Sequence, residues 1–132
     1  MNYRIMHIEN IPYIEVLPDN NLIAGEQDAL SWIALCGEEN TSKLMIHAES
    51  LTPDFFDLSS GVAGEILLKF VNYYIRVAAL LTPELVNRGK FREMVLETNR
   101  GSDFRVFSDR KQAENWFLQL ANPWERERQD ET

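Results

Sequence analysis

Residues 43–81 read KLMIHAESLTPDFFDLSSGVAGEILLKFVNYYIRVAALL, and the fold follows from how this stretch is divided. Lys43 to His47 is a short apolar run of the kind that forms a buried strand. Ala48 to Ser60 is a polar loop interrupted by two aromatics, Phe55 and Phe56. From Gly61 to about Val71 the apolar residues Val62, Ile66 and Phe70 recur at four-residue steps, with Ala63 and Leu67 beside them, which predicts a helix. Ile75 to Leu81 is a second buried strand. Two apolar strands joined through a helix form a crossover unit, which requires a parallel pair and a right-handed connection. In open α/β sheets, ligands and partners are met where a loop leaves the carboxyl end of a strand and enters a helix. The 48–61 loop is therefore the first place to look for a working site.

Working outward, Tyr3 to Glu9 and Ile11 to Leu17 are rich in β-branched and aromatic residues with Asn10 between them. They predict an antiparallel hairpin, with Pro12 at a strand start or edge. Alternation places Ile14 and Val16 inward and puts Tyr13, Glu15 and Leu17 on the other face. A helix is expected from Glu26 to Cys36 with Leu30, Ile33 and Ala34 on one side. Trp32 and Leu35 then remain as extra apolar surface, to be covered by loops or by a second subunit. Gly64 in the first turns of the second helix costs roughly 1 kcal/mol of propensity relative to Ala, a cost that a close backbone approach, or a helix start that needs mobility, would explain. Thr82-Pro83 is a helix entry. A further helix carries Phe91, Met94, Val95 and Thr98, and Phe104 to Phe107 is the last strand. Ser108 is the expected cap of a closing helix with Ala113, Trp116, Phe117 and Leu120 inward. The order β-β-α-β-α-β-α-β-α describes one α/β domain over residues 1–121: a mixed β-sheet with a leading antiparallel hairpin, then parallel crossovers, with helices packed on it. Residues 122–132 read as a charged tail.

The totals agree with a globular chain. The 132 residues are 45% hydrophobic and 11% aromatic, with a net charge of −8. Such an acidic balance excludes a general phosphate-backbone binder and an anionic membrane surface as the main partner, so neither nucleic acid nor membrane is expected and a protein partner is. Cys36, the single cysteine, excludes an intrachain disulfide and any multi-cysteine metal site, and its apolar neighbours predict an inert buried thiol. The first residues carry no signal-peptide core and no run approaches a membrane span, so a cytoplasmic location is expected.

Four constellations are candidates for function. Asp57-Leu58-Ser59-Ser60-Gly61 lies at a helix entrance, where hydroxyls cap the helix or, at Ser60 or Ser59, accept a phosphate. It lacks the Gly-Lys-Ser/Thr of a nucleotide loop, and no cofactor is expected. His47, Glu49, Asp54 and Asp57 surround the same loop. They read either as a solvated acidic rim or as the groups of a small enzyme, small-ligand binder or metal binder, although no ligand spacing marks a metal site. His7, alone on its strand, reads as structural. Phe55-Phe56 reads either as two buried anchors or as one anchor and one residue exposed to a partner. Arg88, Lys90, Arg92, Arg100 and Arg105 form a basic scatter in an acidic chain, read as a solvated helix surface or as a local face for an acidic partner.

The run Pro53-Asp-Phe-Phe-Asp-Leu58, followed by Gly61-Val-Ala-Gly-Glu-Ile-Leu-Leu-Lys-Phe-Val-Asn-Tyr73, resembles a bacterial family of small proteins known only as a domain of unknown function. Gln27 to Leu30 and Glu97 to Gly101 extend the likeness over nearly the whole chain, and no activity is implied. The element order and the Asp-Leu-Ser-Ser-Gly turn are also similar to the STAS domains of anti-sigma-factor antagonists. That resemblance implies a regulatory module whose turn hydroxyl is phosphorylated by a partner kinase. Ser59 and Ser60 take the hydroxyl positions, Gly61 the glycine and Asp57 approximately the aspartate. Leu58 is inserted relative to that pattern, and Pro53-Asp-Phe-Phe56 replaces its short apolar approach. The expected docking and switch surface is Asp54, Phe55, Phe56, Asp57, Ser59, Ser60 and Gly61 with the helix that follows. The rival expectation uses His47, Asp54 and Asp57, and a third is self-association through Trp32, Leu35 and the last helix.

Overall fold

A computed structural model describes residues 1–120, so the expected 122–132 tail lies outside the described residues. Strands β1 (Tyr3–Ile8) and β2 (Ile11–Val16) form the leading hairpin, turned by Glu9 and Asn10, both at positive φ. Helix α1 (Glu26–Glu38), strand β3 (Lys43–His47), helix α2 (Val62–Asn72) and strand β4 (Arg76–Leu80) follow. Then come α3 (Pro83–Val86), α4 (Gly89–Thr98), β5 (Phe104–Phe107) and α5 (Arg110–Leu120). The sheet runs β1-β2-β3-β4-β5, antiparallel in its first pair and parallel in the other three, as the alternation of patterns predicts.

Sequential strand order sends each parallel crossover over the same face. Helices α1, α2 and α4 accordingly share one core with the inward residues Ile14, Leu44, Ile46, Val77 and Ala79. The opposite face is closed by α5, whose Ala113, Trp116 and Phe117 pack on Tyr13, Met45 and Ala78. The hairpin's second strand is thus buried on both faces, and Tyr13 and Glu15 are buried where alternation alone left them outside. Pro12 is tolerated in this interior strand because the β2–β3 pairing reaches only Ile14 and Glu15, so its missing N–H interrupts no ladder. Cys36 is buried, and its burial pushes the thiol up to about 12, as expected of an inert thiol.

Several local expectations are corrected by packing. The buried stripe of α1 is Ala29, Trp32, Leu35 and Cys36, while Ala34 is exposed and Leu30 and Ile33 are only partly covered. Trp32 meets Tyr3 edge-on across the hairpin at 6.3 Å, so Trp32 and Leu35 belong to the core and offer no subunit surface. Ser108 does not cap α5; the Asp109 carboxylate accepts from Gln112 N at 2.9 Å instead. Nothing approaches a Cβ built at Gly64, so no close backbone contact accounts for that glycine. Thr82 does cap α3, accepting from Leu85 N at 3.4 Å with Pro83 behind it.

Two aromatics fasten the long loop. Phe55 is 1% exposed and meets Phe91 and Phe104, each at 6.2 Å between centroids. Phe56 is partly buried and packs on Phe91 at 5.2 Å. The reading in which one of the pair faces a partner is therefore replaced by one in which both anchor the loop. Leu51 adds a parallel bridge to Ile23, and both are buried. Replacing Phe55 by Ala should lower stability by about 3–5 kcal/mol, read from the urea midpoint, and Phe56→Ala should cost less. A loss below about 1 kcal/mol at Phe55 would show that the loop is held by something else.

Candidate functional site

The loop leaving β3 is a chain of tight turns: Ala48–Ser50, Pro53–Phe56 and Leu58–Ser60 each form one 3-10 turn. With Phe55 and Phe56 turned inward, the polar residues between and after them are left outside. Asp54, Asp57, Ser59, Ser60 and Gly61 are all exposed. Asp57 Oδ1 accepts from Ser59 N at 3.1 Å and from Ser59 Oγ at 2.6 Å. Ser60 Oγ donates toward the carbonyls of Asp54 and Asp57, both at 2.7 Å, and accepts from Val62 N at 3.2 Å. Gly61, at φ +80, then turns the chain into α2 through a left-handed conformation that suits glycine. Both serine hydroxyls tie the turn, and both residues remain open to solvent.

Beyond this turn, α2 carries an outward stripe: Gly64, Leu68 and Val71 at i, i+4 and i+7. Leu68 is 59% exposed, and the stripe runs on to exposed Tyr73 and Tyr74. The helix ends in a Schellman arrangement, with Ile75 N donating to Phe70 O at 2.9 Å and Tyr74 N to Val71 O at 3.0 Å. The left-handed position of that motif normally falls to glycine. Here it is held by Tyr74, at φ +60 and 78% exposed.

A second polar constellation lies at the carboxyl ends of β2 and β3, under the N-terminus of α5. Glu15 is 1% exposed. Its Oε1 accepts from Arg4 Nε at 2.6 Å, and its Oε2 accepts from Arg110 Nη2 and lies 2.7 Å from His47 Nε2. Arg110 also donates to Tyr13 Oη at 2.9 Å, and that phenol donates to Glu114 at 2.7 Å. Burial opposes the charge on Glu15, but the hydrogen bonds from Arg110, His47 and Arg4 outweigh it and hold the carboxyl at about 2. Burial, reinforced by the Glu114 carboxylate, pushes the Tyr13 phenol far above its usual range. An ionised carboxylate only accepts, so His47 Nε2 carries the hydrogen.

This network separates the residues of the small-enzyme expectation. His47 is engaged with Glu15 across the sheet, whereas Asp57 is engaged with Ser59 in the loop. Among the described residues no three His, Cys, Asp or Glu side chains are grouped to hold a metal ion, so a metal site on His47, Asp54 and Asp57 is not formed. His7 lies exposed on the edge strand. The basic scatter also divides: Arg105 lies over the Trp116 ring at 5.5 Å, while Arg88, Lys90, Arg92 and Arg100 are exposed on and around α4.

Residues 8–117 match the family described as Domain of unknown function (DUF4180). The chain belongs to this family. No curated protein and no solved structure matches it. The DUF4180 span contains the whole 48–61 loop, α2, Glu15, His47 and Arg110, and leaves Arg4 outside. No helix of the described DUF4180 chain is long and apolar enough to cross a membrane. Glu15, Tyr13 and Arg110 are the polar residues that periodicity missed. Their only trace in the sequence is a second amphipathic surface, the closing helix, that needs a sheet face to cover.

Two outcomes follow from these geometries. The folded carboxyl of Glu15 titrates below its ordinary 4.5, at about 2, so its contribution is fully present above pH 4.5 and lost as pH falls toward 2. Glu15→Gln should cost about 2 kcal/mol near neutrality, since its arginine partners are open enough to regain water. The gap between wild type and variant should narrow as pH falls below 4.5 and close only once it has passed through about 2, as followed by urea unfolding at each pH. Tyr74→Gly should raise the stability of the single chain by about 1 kcal/mol by relieving the left-handed strain, read from urea unfolding in dilute solution; a loss there would mean that the tyrosine ring is held by its own fold.

Proposed function

We propose that this chain is a regulatory, protein-binding module of the STAS-like kind, working in the bacterial cytoplasm. Its docking surface is the 48–61 loop together with the outward stripe of α2. The observation that carries this reading is the distribution of exposed apolar surface. Of the six large apolar residues exposed in the described chain, Leu68, Val71, Tyr73 and Tyr74 belong to α2 and its C-terminal turn. An apolar patch gathered on one element, with polar residues at its rim, is what a protein contact requires. The STAS-like part rests on the sequential strand order with parallel crossovers and on the Asp57-to-Gly61 turn at the entrance to α2.

Ser60 and Ser59 are the proposed switch. Both hydroxyls are exposed and both hold the turn together. A phosphate on Ser60 would remove the donor shared by the Asp54 and Asp57 carbonyls and set negative charge against them. On Ser59 it would set nearly two negative charges against Asp57. Either change reshapes the loop beside the apolar stripe without touching the core below it.

The test is native mass spectrometry of the untagged protein taken gently from its own organism, as wild type and as Leu68→Glu. The expected result is a protein complex in the first, absent from the second, with phosphate mapped to Ser60 or Ser59 in a fraction of the chains. Bare, unmodified monomer in both samples would end this reading.

A further inference from the structure

We infer that the α2 stripe is a two-fold interface, and that its occupant is a second copy of this chain packed with α2 antiparallel to α2. The inference rests on the reading of this face as a docking surface and names what docks there. Three features of the stripe point to its own image.

The first is shape. The stripe is narrow at its start, where Gly61 and Gly64 leave open space around the Cβ position, and broad at its end, where Tyr73 and Tyr74 stand exposed. A two-fold that reverses the helix lays the broad end of one copy over the narrow end of the other. With Leu68 near the axis, Gly61 of one copy falls opposite the partner's Tyr74. A single partner helix of uniform width would fill one end and leave the other loose.

The second is charge. Glu65 and Lys69 stand one turn apart on the same flank of the stripe, at about 100° of rotation per residue. They form no ion pair with each other, although i, i+4 spacing allows one. Antiparallel two-fold packing brings like flanks together, so Glu65 of one copy meets the partner's Lys69, twice per interface. Parallel packing would set the same charges against the opposite, apolar flank on which Leu67 lies. The antiparallel arrangement also opposes the two helix dipoles.

The third is strain. Tyr74 occupies a left-handed position that glycine would fill at lower cost, and its ring is exposed in the isolated chain. Within one copy the conformation achieves nothing that glycine would not. Across the two-fold it aims an aromatic ring at the partner's glycine end, which accounts for an outlier at this position.

The arrangement also places Ser60, which immediately precedes Gly61, next to the partner's helix C-terminus. That end carries negative partial charge, so a phosphate on Ser60 would drive the two copies apart. The partner under control of the switch is then the second subunit itself.

Sedimentation velocity on the purified full chain across micromolar concentrations tests this, with circular dichroism confirming that each variant is folded. Wild type should form a dimer. Leu68→Glu should be monomeric, and Glu65→Lys or Lys69→Glu alone should weaken the dimer about tenfold. The combined Glu65→Lys/Lys69→Glu chain should regain most of that loss, because the exchanged charges meet again only across a two-fold. Wild type that stays monomeric, a dimer that survives Leu68→Glu, or a double variant no tighter than the singles would each overturn the assignment. A monomer whose cellular complex is still lost on Leu68→Glu would overturn the second copy alone and leave the docking reading standing. A monomer with no such complex would remove both.

Discussion

Glu15 is a carboxylate buried in the sheet, and Arg110 at the start of α5 neutralises it from the helix that closes that face. The parallel strands need cover on both faces. Three helices come from the crossovers and lie on one side by handedness; the remaining side falls to α5. The first residue of that helix supplies a guanidinium to Glu15 and to Tyr13 at once. A carboxylate buried under α5 with one of those donors removed would be costly, because part of its charge would be left uncompensated. Arg4 and His47 complete the set from β1 and β3, so three strands and a helix meet on one side chain.

The other half of the molecule is organised by a different device. The 48–61 loop is long for a connection between a strand and a helix. It is held by Phe55, Phe56 and Leu51 rather than by secondary structure. Because the aromatics turn inward, the polar residues of the same segment are forced out and presented in fixed geometry at the start of α2. The imidazole nearest in sequence to this turn is committed to Glu15.

The two halves meet in β3. Its inward residues Leu44 and Ile46 belong to the core under α2, Met45 belongs to the core under α5, and His47 ends the strand at the Glu15 network just where the loop begins. A perturbation of the Glu15 network is therefore one residue away from the loop in sequence.

Much of this was legible in the chain itself. Runs such as Lys43 to His47 and Ile75 to Leu81, separated by a 3.6-residue pattern, determine a parallel crossover, because no other arrangement buries both strands and the helix stripe. The hairpin, the Thr82-Pro83 entry and the inward faces of α2, α4 and α5 were equally local matters of period and capping. What sequence could not decide was which of two apolar surfaces wins when both exist. Trp32 is buried more fully than Ile33 in α1, where Tyr3 of the hairpin meets it. Tyr13 and Glu15 are inside because a helix 95 residues later folds over them. Phe56 is inside because Phe91 lies beneath it. Local periodicity carries no information about partners distant in the chain, and a buried charge is recognisable only once the donor that neutralises it has been brought beside it. The same holds for the outward stripe of α2: its residues are plain in the sequence, but only the packed layer of helices leaves them uncovered.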